Sequence, residues 1–136
     1  MKRWLALLMV LTLCLTACAA VAEEPEYTSK GSGSTCLYIA VYDGVDIDDM
    51  DYFAVHTDKT LLLDALQGVG LVDGEAVDWG YFLTTVNGKT ADYDGNGEYW
   101  TIQVYDANSD NFVALTTAIG ETTISDGDGY LFMLRK

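Results

Sequence analysis

The chain has 136 residues and a formal net charge of −14, from 21 acidic and seven basic side chains. A charge of this sign argues against nucleic acid and anionic lipid as partners, because both are bound by cationic surfaces. The length fits one domain with one hydrophobic core behind a short N-terminal segment.

The first predicted element is an export signal over residues 1–18. Two basic residues precede an apolar run, residues 4–15, that is too short to span a bilayer comfortably. Leu15-Thr16-Ala17-Cys18 resembles the lipobox of bacterial lipoproteins, so Cys18 is predicted to carry a lipid that anchors the chain to the outer face of the cytoplasmic membrane. Cleavage after Ala22 is the alternative, and it would give a secreted protein.

Residues 19–35 are predicted to be a flexible tether, because Lys30-Gly31-Ser32-Gly33-Ser34 has the composition of a linker. Without the two basic residues of the signal, the exported part has a net charge of 5 − 21 = −16. Cys36 is the remaining thiol outside the signal. It lies in an apolar, strand-like run, so we expect a buried structural cysteine rather than a nucleophile.

Residues 36–136 are predicted to form the folded domain, and they begin with two strands and a helix. In the first strand, Cys36–Tyr42, alternate apolar residues share one face, and a shorter strand follows over Tyr52–Thr57. A helix is predicted between Asp58 and Gly70 from an apolar stripe formed by Leu62, Ala65, Leu66 and Val69. The candidate N-caps of this helix are Thr57, Asp58 and Thr60.

Strand signals return after the helix. Tyr81–Val86 precedes the tight-turn dipeptide Asn87-Gly88, and Tyr99–Tyr105 alternates between an apolar face and a tyrosine-bearing face. A weaker strand over Phe112–Thr116 and a final strand over Tyr130–Leu134 complete the domain. Two strands, a helix and three or more strands predict an α+β fold, in which a β-grasp-like mixed sheet packs on one short helix.

Four segments of the domain resemble the transcobalamin-like C-terminal domain family, over residues 50–136. They are Thr60–Leu66 at the helix start, Gly80–Gly88, the pair Ala91–Tyr93 and Glu98–Trp100, and the closing turn Ile124–Asp128. The resemblance implies a β-grasp domain of Gram-positive surface lipoproteins, similar to the smaller, lid-like domain of vertebrate cobalamin carriers. It also implies a cobalamin-like corrinoid as ligand, by analogy at the level of the fold. The acidic turn Asp106–Asp110 departs from the Asn-Gly hairpin that the family usually has there.

The stretch Asp92-Tyr93-Asp94-Gly95-Asn96-Gly97-Glu98 resembles the first half of a calcium-binding loop, with Asp92, Asp94 and Asn96 as candidate ligands. The position that should carry a bidentate glutamate is Gln103, and a strand pattern replaces the exiting helix. We therefore expect a turn between strands, and no metal site is favoured.

Aromatic residues form the stronger candidate site. If Trp100, Ile102 and Val104 face the helix, Tyr99 and Tyr105 stand on the opposite face of the sheet, with Tyr38 and Tyr42 of the first strand. A tyrosine-lined face offers apolar area and hydroxyl groups to a flat ligand or a protein, although tyrosine is also common on pleated surfaces without any such role. The candidate ligand-binding residues are Tyr99, Trp100, Tyr105 and Tyr81.

No catalytic constellation is recognisable, and a lone His56 has no companions for a metal site. The sequence predicts a non-enzymatic, exported binding module that requires no cofactor and takes a small ligand, with a corrinoid as the class that the resemblance implies. A protein-interaction module of the cell envelope is the alternative, and a calcium-responsive domain is the second alternative.

Overall fold

The computed structural model describes residues 26–45 and 48–136. The chain is mostly β-structure in two sheets with few helices, which is consistent with the α+β class. The strands are β1 (Thr28–Gly31), β2 (Thr35–Tyr42), β3 (Asp51–Thr57), β4 (Val72–Val77), β5 (Gly80–Val86), β6 (Lys89–Thr90), β7 (Tyr99–Asp106), β8 (Asn111–Ala114) and β9 (Gly129–Arg135). The helices are α1 (Leu62–Gly68), α2 (Tyr93–Asn96) and a 3₁₀ turn (Ile119–Glu121).

The larger sheet has six strands in the order β1-β3-β2-β9-β7-β8. It is mixed, as predicted: β9 runs parallel to β2, β1 runs parallel to β3, and the other neighbours are antiparallel. The final long strand therefore lies in the middle of the sheet, between β2 and β7, rather than at an edge. β3 flanks this central parallel pair on the β2 side, and β7 flanks it on the β9 side; both are antiparallel to their neighbour.

The smaller sheet is antiparallel, with the order β4-β5-β6, and it replaces the expected single sheet. The prediction missed β4 because Val72–Val77 contains an acidic residue at two positions and a glycine, with a register shift between Asp73 and Gly74. Asn87 and Gly88 both have positive φ, 51° and 79°, so the predicted tight turn between β5 and β6 is confirmed.

The core lies between one face of the larger sheet and a layer made of α1 and the smaller sheet. Alternate residues of β2, β3 and β9 point into it. The remaining side chains come from α1, β5 and β7, from Leu71 and Val72 at the start of β4, and from Ile119 of the 3₁₀ turn. The fully buried members include Leu37, Ile39, Val55, Leu62, Leu66 and Phe132. Three of the four residues in the apolar stripe predicted for the helix are buried: Leu62, Ala65 and Leu66. The prediction is confirmed for these three.

The opposite side of the larger sheet, called the outer face below, is not covered by any other element of the described residues. Its middle is formed by Tyr38, Ala40, Tyr52, Ala54, Leu131, Met133, Thr101, Gln103 and Tyr105, all of which are half-buried. None of the outward positions of the six strands carries a carboxylate, although the chain has 21 acidic residues.

The segment predicted to be a tether contains a strand, so that part of the prediction is wrong. Thr28–Gly31 forms β1, and the following loop lies against the end of β3. Gly31 and Gly33 have φ values of 74° and 151°, and a Cβ at either position would overlap backbone atoms of His56 or Thr57. These glycines permit close packing of two backbones, rather than flexibility. Residues 19–25, like the predicted export signal and Cys18, lie outside the described residues.

The helix α1 begins without any of the predicted caps. Its N-cap residue is Leu61, whose side chain makes no capping hydrogen bond. The first backbone N–H groups are held instead by other backbone: Leu62 donates to the Thr122 carbonyl at 2.9 Å. Asp58 accepts from the backbone N–H of Ser34, 2.9 Å away, and so supports the β1–β2 loop. The helices in the described part of the chain are too short to cross a membrane.

Candidate ligand-binding groove

An aromatic groove of about 340 Å³ lies where the smaller sheet meets the edge of the larger one. One wall comes from β5 and the turn before it, the second from β7, and the third from residues 115–119. The side chains that give it its character are Trp79, Tyr81, Phe82, Tyr99, Trp100 and Ile102. Its volume and aromatic lining are typical of sites that hold small molecules.

The alternation of β7 determines the floor of the groove. Trp100 and Ile102 pair with Leu134 and Phe132 of β9 and point toward the core side, as predicted. Trp100 is only 8% exposed, and its Nε1 has no hydrogen-bond partner within the described residues. A buried indole N–H usually has a partner. Because neighbouring atoms cover this one, a ligand acceptor would reach it only if the wall moved.

Tyr99 lies in the groove rather than on the outer face, which corrects the prediction for this residue. Alternation alone places it opposite Trp100, but it is the first residue of β7 and follows the turn at α2. At the end of a strand the side chain is less constrained by the pleat than in the middle. Tyr99 is 39% exposed, so its ring forms part of the mouth.

Tyr81 connects the groove to α1. Its hydroxyl accepts a hydrogen bond from Gln67 Nε2 at 2.9 Å. Burial, followed by the nearby Asp73 carboxylate, raises the pKa of Tyr81, while the hydrogen bond to Gln67 acts in the other direction. The phenol therefore stays neutral and is available as a hydrogen-bonding group.

Trp79 and Phe82 were missed by the sequence reasoning, and they form the rim of the groove with Tyr93. Trp79 is 73% exposed and meets Phe82 edge to face, with ring centroids 6.1 Å apart. Phe82 makes a second such contact with Tyr93, at 6.5 Å. An exposed tryptophan in an Asp-Trp-Gly turn next to a strand is the signal that could have indicated this rim.

The structure places Tyr105 away from the other three predicted ligand-binding residues. It lies on the outer face, where its ring packs edge to face on Phe112 at 5.7 Å and its hydroxyl donates to Asp110. Tyr38 is also on this face, in contact with Tyr27 and, through it, Tyr52. The predicted tyrosine-lined face therefore exists, but it is separate from the groove that holds Tyr81, Tyr99 and Trp100.

Cys36 is half-buried on the outer face, which corrects the expectation of a buried core cysteine. The apolar run does form a strand, β2, but its even-numbered residues, Cys36 among them, point away from the core. Burial raises the pKa of the Cys36 thiol, so it is a poorer nucleophile than an ordinary cysteine. Burial also raises the pKa of its neighbour Tyr38 to about 12.

The predicted turn at Asp92 is a short helix stabilised by its own side chains. The Asp92 carboxylate accepts from the backbone N–H of Gly95 at 2.9 Å, and Gly97 ends the helix with a φ of 69°. The backbone N–H of Asp92 donates to the buried Glu98 at 2.9 Å. Asp94 and Asn96 are exposed. No group of three or more His, Cys, Asp or Glu residues with metal-binding geometry occurs in the described part of the chain.

Solved structures similar to this chain include the following two. One is a proposed metal-binding protein from Ruminococcus gnavus, with 29% identity, a TM-score of 0.63, and coverage of 76% of this chain and 98% of that one. The other is haptocorrin in complex with Cbi, with 15% identity and a TM-score of 0.55. The similarity to haptocorrin covers 75% of this chain but a quarter of that chain, and it shows the fold alone. No protein-family model and no curated protein sequence matches the chain.

Proposed function

We propose that the chain is an exported, lipid-anchored binding module that takes a small, flat ligand in the aromatic groove and catalyses no reaction. The observation that carries this proposal is the convergence of Trp79, Tyr81, Tyr99 and Trp100, from two different sheets, on one open groove. Aromatic side chains supply large contact areas with few rotatable bonds, so they bind flat ligands at low entropic cost.

A corrinoid is the leading ligand class. The sequence resemblance to the transcobalamin-like C-terminal domains and the fold similarity to haptocorrin both support this choice. We extend the resemblance to a β-grasp assignment, which the parallel pairing of β2 with β9 beside α1 supports. The groove is at the small end for ligand sites, so a macrocycle would lie across the mouth, against Trp79 and Tyr99, rather than be enclosed.

Thermal unfolding of the full chain with and without cobinamide or cobalamin tests this proposal. A ligand that binds only the folded state stabilises it by mass action, by about 2.7 kcal/mol at 100 times Kd. Each kcal/mol shifts the midpoint of a domain of this size by up to about 4–8 °C, so at that concentration we expect a rise of roughly 10–20 °C. Trp79→Ala should remove the shift, whereas Tyr105→Phe, on the outer face, should retain it. An unchanged midpoint at high micromolar corrinoid would refute this ligand class.

A protein-interaction module of the cell envelope is the second candidate, and the outer face favours it. Its middle is largely aromatic and aliphatic and half-exposed, and none of its outward strand positions carries a carboxylate, which is typical of the centre of a protein interface. Asp110, which accepts from the Tyr105 hydroxyl, comes from the turn at one end of the face. A photo-crosslinking residue at Tyr52 in the anchored chain would test this, with Val113 as the control position. We expect the probe at position 52 to give a single adduct, and we expect Ala40→Glu to abolish that adduct. Equal labelling from positions 52 and 113 would contradict the interaction role of the outer face.

A calcium-responsive role is the third candidate, supported by the similarity to the proposed metal-binding protein. Asp92 is already engaged in capping α2, so calcium would have to compete with the Gly95 N–H. Millimolar calcium chloride, compared with sodium chloride at equal ionic strength, tests for this role in the same unfolding assay. Equal unfolding midpoints in the two salts would rule out a calcium-responsive role.

The lipid anchor is proposed from the lipobox, because Cys18 lies outside the described residues. Cys18→Ser should release the chain from the membrane fraction and prevent incorporation of labelled fatty acid. If the variant stays in the membrane fraction, another segment holds it there. A soluble, unlabelled wild-type chain that begins at Glu23 would instead support cleavage after Ala22.

A further inference from the structure

Four acidic residues adjoin the groove residues and Tyr93 in the sequence, and they are called the acidic rim here. Asp78 precedes Trp79, Asp92 and Asp94 flank Tyr93, and Glu121 closes the 3₁₀ turn that begins at Ile119. These four carboxylates are exposed, whereas the groove itself is lined by aromatic, aliphatic and hydroxyl-bearing side chains. Negative potential from such a rim is focused into a concave, low-dielectric surface.

The basic side chains of the described residues all lie elsewhere. Lys30 stands over the Phe53 ring at 5.5 Å. Arg135 is the register partner of Tyr99 in the β7–β9 pair, but it does not line the groove, and its Nε donates to Thr101 Oγ1 on the outer face at 3.3 Å. The other three line two different hollows: Lys59 lies near His56, and Lys89 and Lys136 lie near Tyr42. An anionic ligand in the groove would therefore meet carboxylates with no cation to balance them.

The ring faces at the mouth suit a cation. Trp79 is the most exposed aromatic side chain of the groove, and Tyr99 is partly exposed beside it. The face of an aromatic ring carries negative partial charge, and tryptophan attracts cations most strongly. The exposed carboxylates of Asp78 and Glu121 add a Coulomb contribution of the same sign.

We propose that the groove selects for a planar small molecule that carries positive charge, and selects against an anionic one of the same shape. This inference rests on the proposed function, because it assigns a charge class to the ligand of the same groove. Cation–π contact and the acidic rim supply the preference, and the flat aromatic walls supply the shape.

A matched pair of planar dyes tests the charge preference. Thionine is a cationic tricyclic dye, and resorufin is an anionic tricyclic dye of similar size. The full chain with Trp4→Phe retains two tryptophans, Trp79 and Trp100, and both line the groove. Quenching of tryptophan fluorescence therefore reports binding at this site. At low ionic strength, we expect thionine to bind about tenfold more tightly than resorufin, and the difference to shrink as salt is added.

A pair of double variants with equal charge change separates the rim from the overall charge. Asp78→Asn with Glu121→Gln removes two of the four rim charges and should reduce the preference for thionine several-fold. Asp49→Asn with Asp110→Asn neutralises two exposed carboxylates outside the groove and should leave the preference nearly unchanged. An equal effect of the two pairs would overturn the assignment to the rim.

The outcomes also distinguish this inference from the proposed function. Equal or tighter binding of resorufin would overturn the charge preference and leave a binding groove in place. A corrinoid-induced rise in the unfolding midpoint without any thionine binding would also overturn the charge preference and leave the proposed function in place. If neither dye quenches and no corrinoid stabilises the chain, both the proposed function and this inference are wrong.

Discussion

Asp128 is a buried carboxyl group that titrates in an environment unfavourable to its charge. It is 3% exposed; Oδ2 accepts from Ser125 N at 2.8 Å and from the Tyr130 hydroxyl at 3.1 Å, and Oδ1 has no partner within the described residues. Burial raises the pKa of Asp128, and the two hydrogen bonds oppose this effect. The protonated form is therefore favoured by folding.

The pH dependence of stability follows from the direction of this shift. Because the folded state holds the proton more tightly, the contribution of Asp128 is full below the ordinary carboxyl pKa and is lost as the pH rises through its raised pKa. Asp128→Asn should remove this part of the slope. Urea unfolding midpoints across the acid range would measure it, with the exposed Asp94→Asn as control. Parallel pH profiles for wild type and Asp128→Asn would contradict it.

The glycines of the β1–β2 loop are required by contact between backbones. Gly33→Ala places a Cβ against Thr57 at a φ that side chains rarely adopt, and should cost about 1–3 kcal/mol of unfolding free energy. Gly68→Ala is the matched control: nothing lies within 4 Å of its added Cβ, at the end of α1, so it should stabilise by about 0.5–1 kcal/mol. Equal and small effects in chemical denaturation would show that the loop is flexible after all.

At the scale of elements, the 3₁₀ turn is held by hydroxyl groups and in turn forms a groove wall. Thr122 Oγ1 donates to the Ala118 carbonyl at 2.9 Å and lies 2.7 Å from Thr117 Oγ1. Thr117 and Ala118 both line the groove. The sequence offered no signal for this wall, because its residues belong to a loop whose position depends on α1 and Thr122.

Thr122→Val should loosen this wall while preserving side-chain volume. We expect a loss of about 1–2 kcal/mol of unfolding free energy from the broken hydrogen bonds, together with weaker thionine or corrinoid binding. Thr85→Val is the control, because it removes a comparable hydroxyl contact, with Thr90 at 2.8 Å, outside the groove. If both variants lower stability equally and neither alters binding, Thr122 has a structural role alone.

The long apolar strands were predictable from the sequence, and in β2, β3 and β9 the alternation follows from the burial of one face. β2, β3, β5, β7 and β9 were all predicted to within one or two residues. β1 and β4 were missed because they lie at sheet edges and carry glycine, serine and acidic residues. The groove was predictable only in part: Tyr81, Tyr99 and Trp100 come from predicted strands, whereas their meeting depends on how two sheets pack.

At the scale of the whole molecule, charge opposes compactness. Residues 19–136 have a net charge of 5 − 21 = −16, and these charges repel one another more strongly in the folded state than in the expanded one. Raising sodium chloride from about 10 mM to about 100 mM shortens the Debye length from about 30 Å to about 10 Å, so the unfolding midpoint should rise. Potassium chloride at the same concentrations should raise the unfolding midpoint by a similar amount. A midpoint that falls with both salts would contradict net self-repulsion.

The central position of β9 has a consequence for the order in which a newly made chain can fold. Because residues 129–135 complete the middle of the larger sheet, no shorter N-terminal fragment can form its parallel pair with β2. The larger sheet of a nascent chain would therefore stay incomplete until those residues leave the ribosome. For the export proposed above, this delay would keep the chain in the unfolded state that translocation machinery accepts.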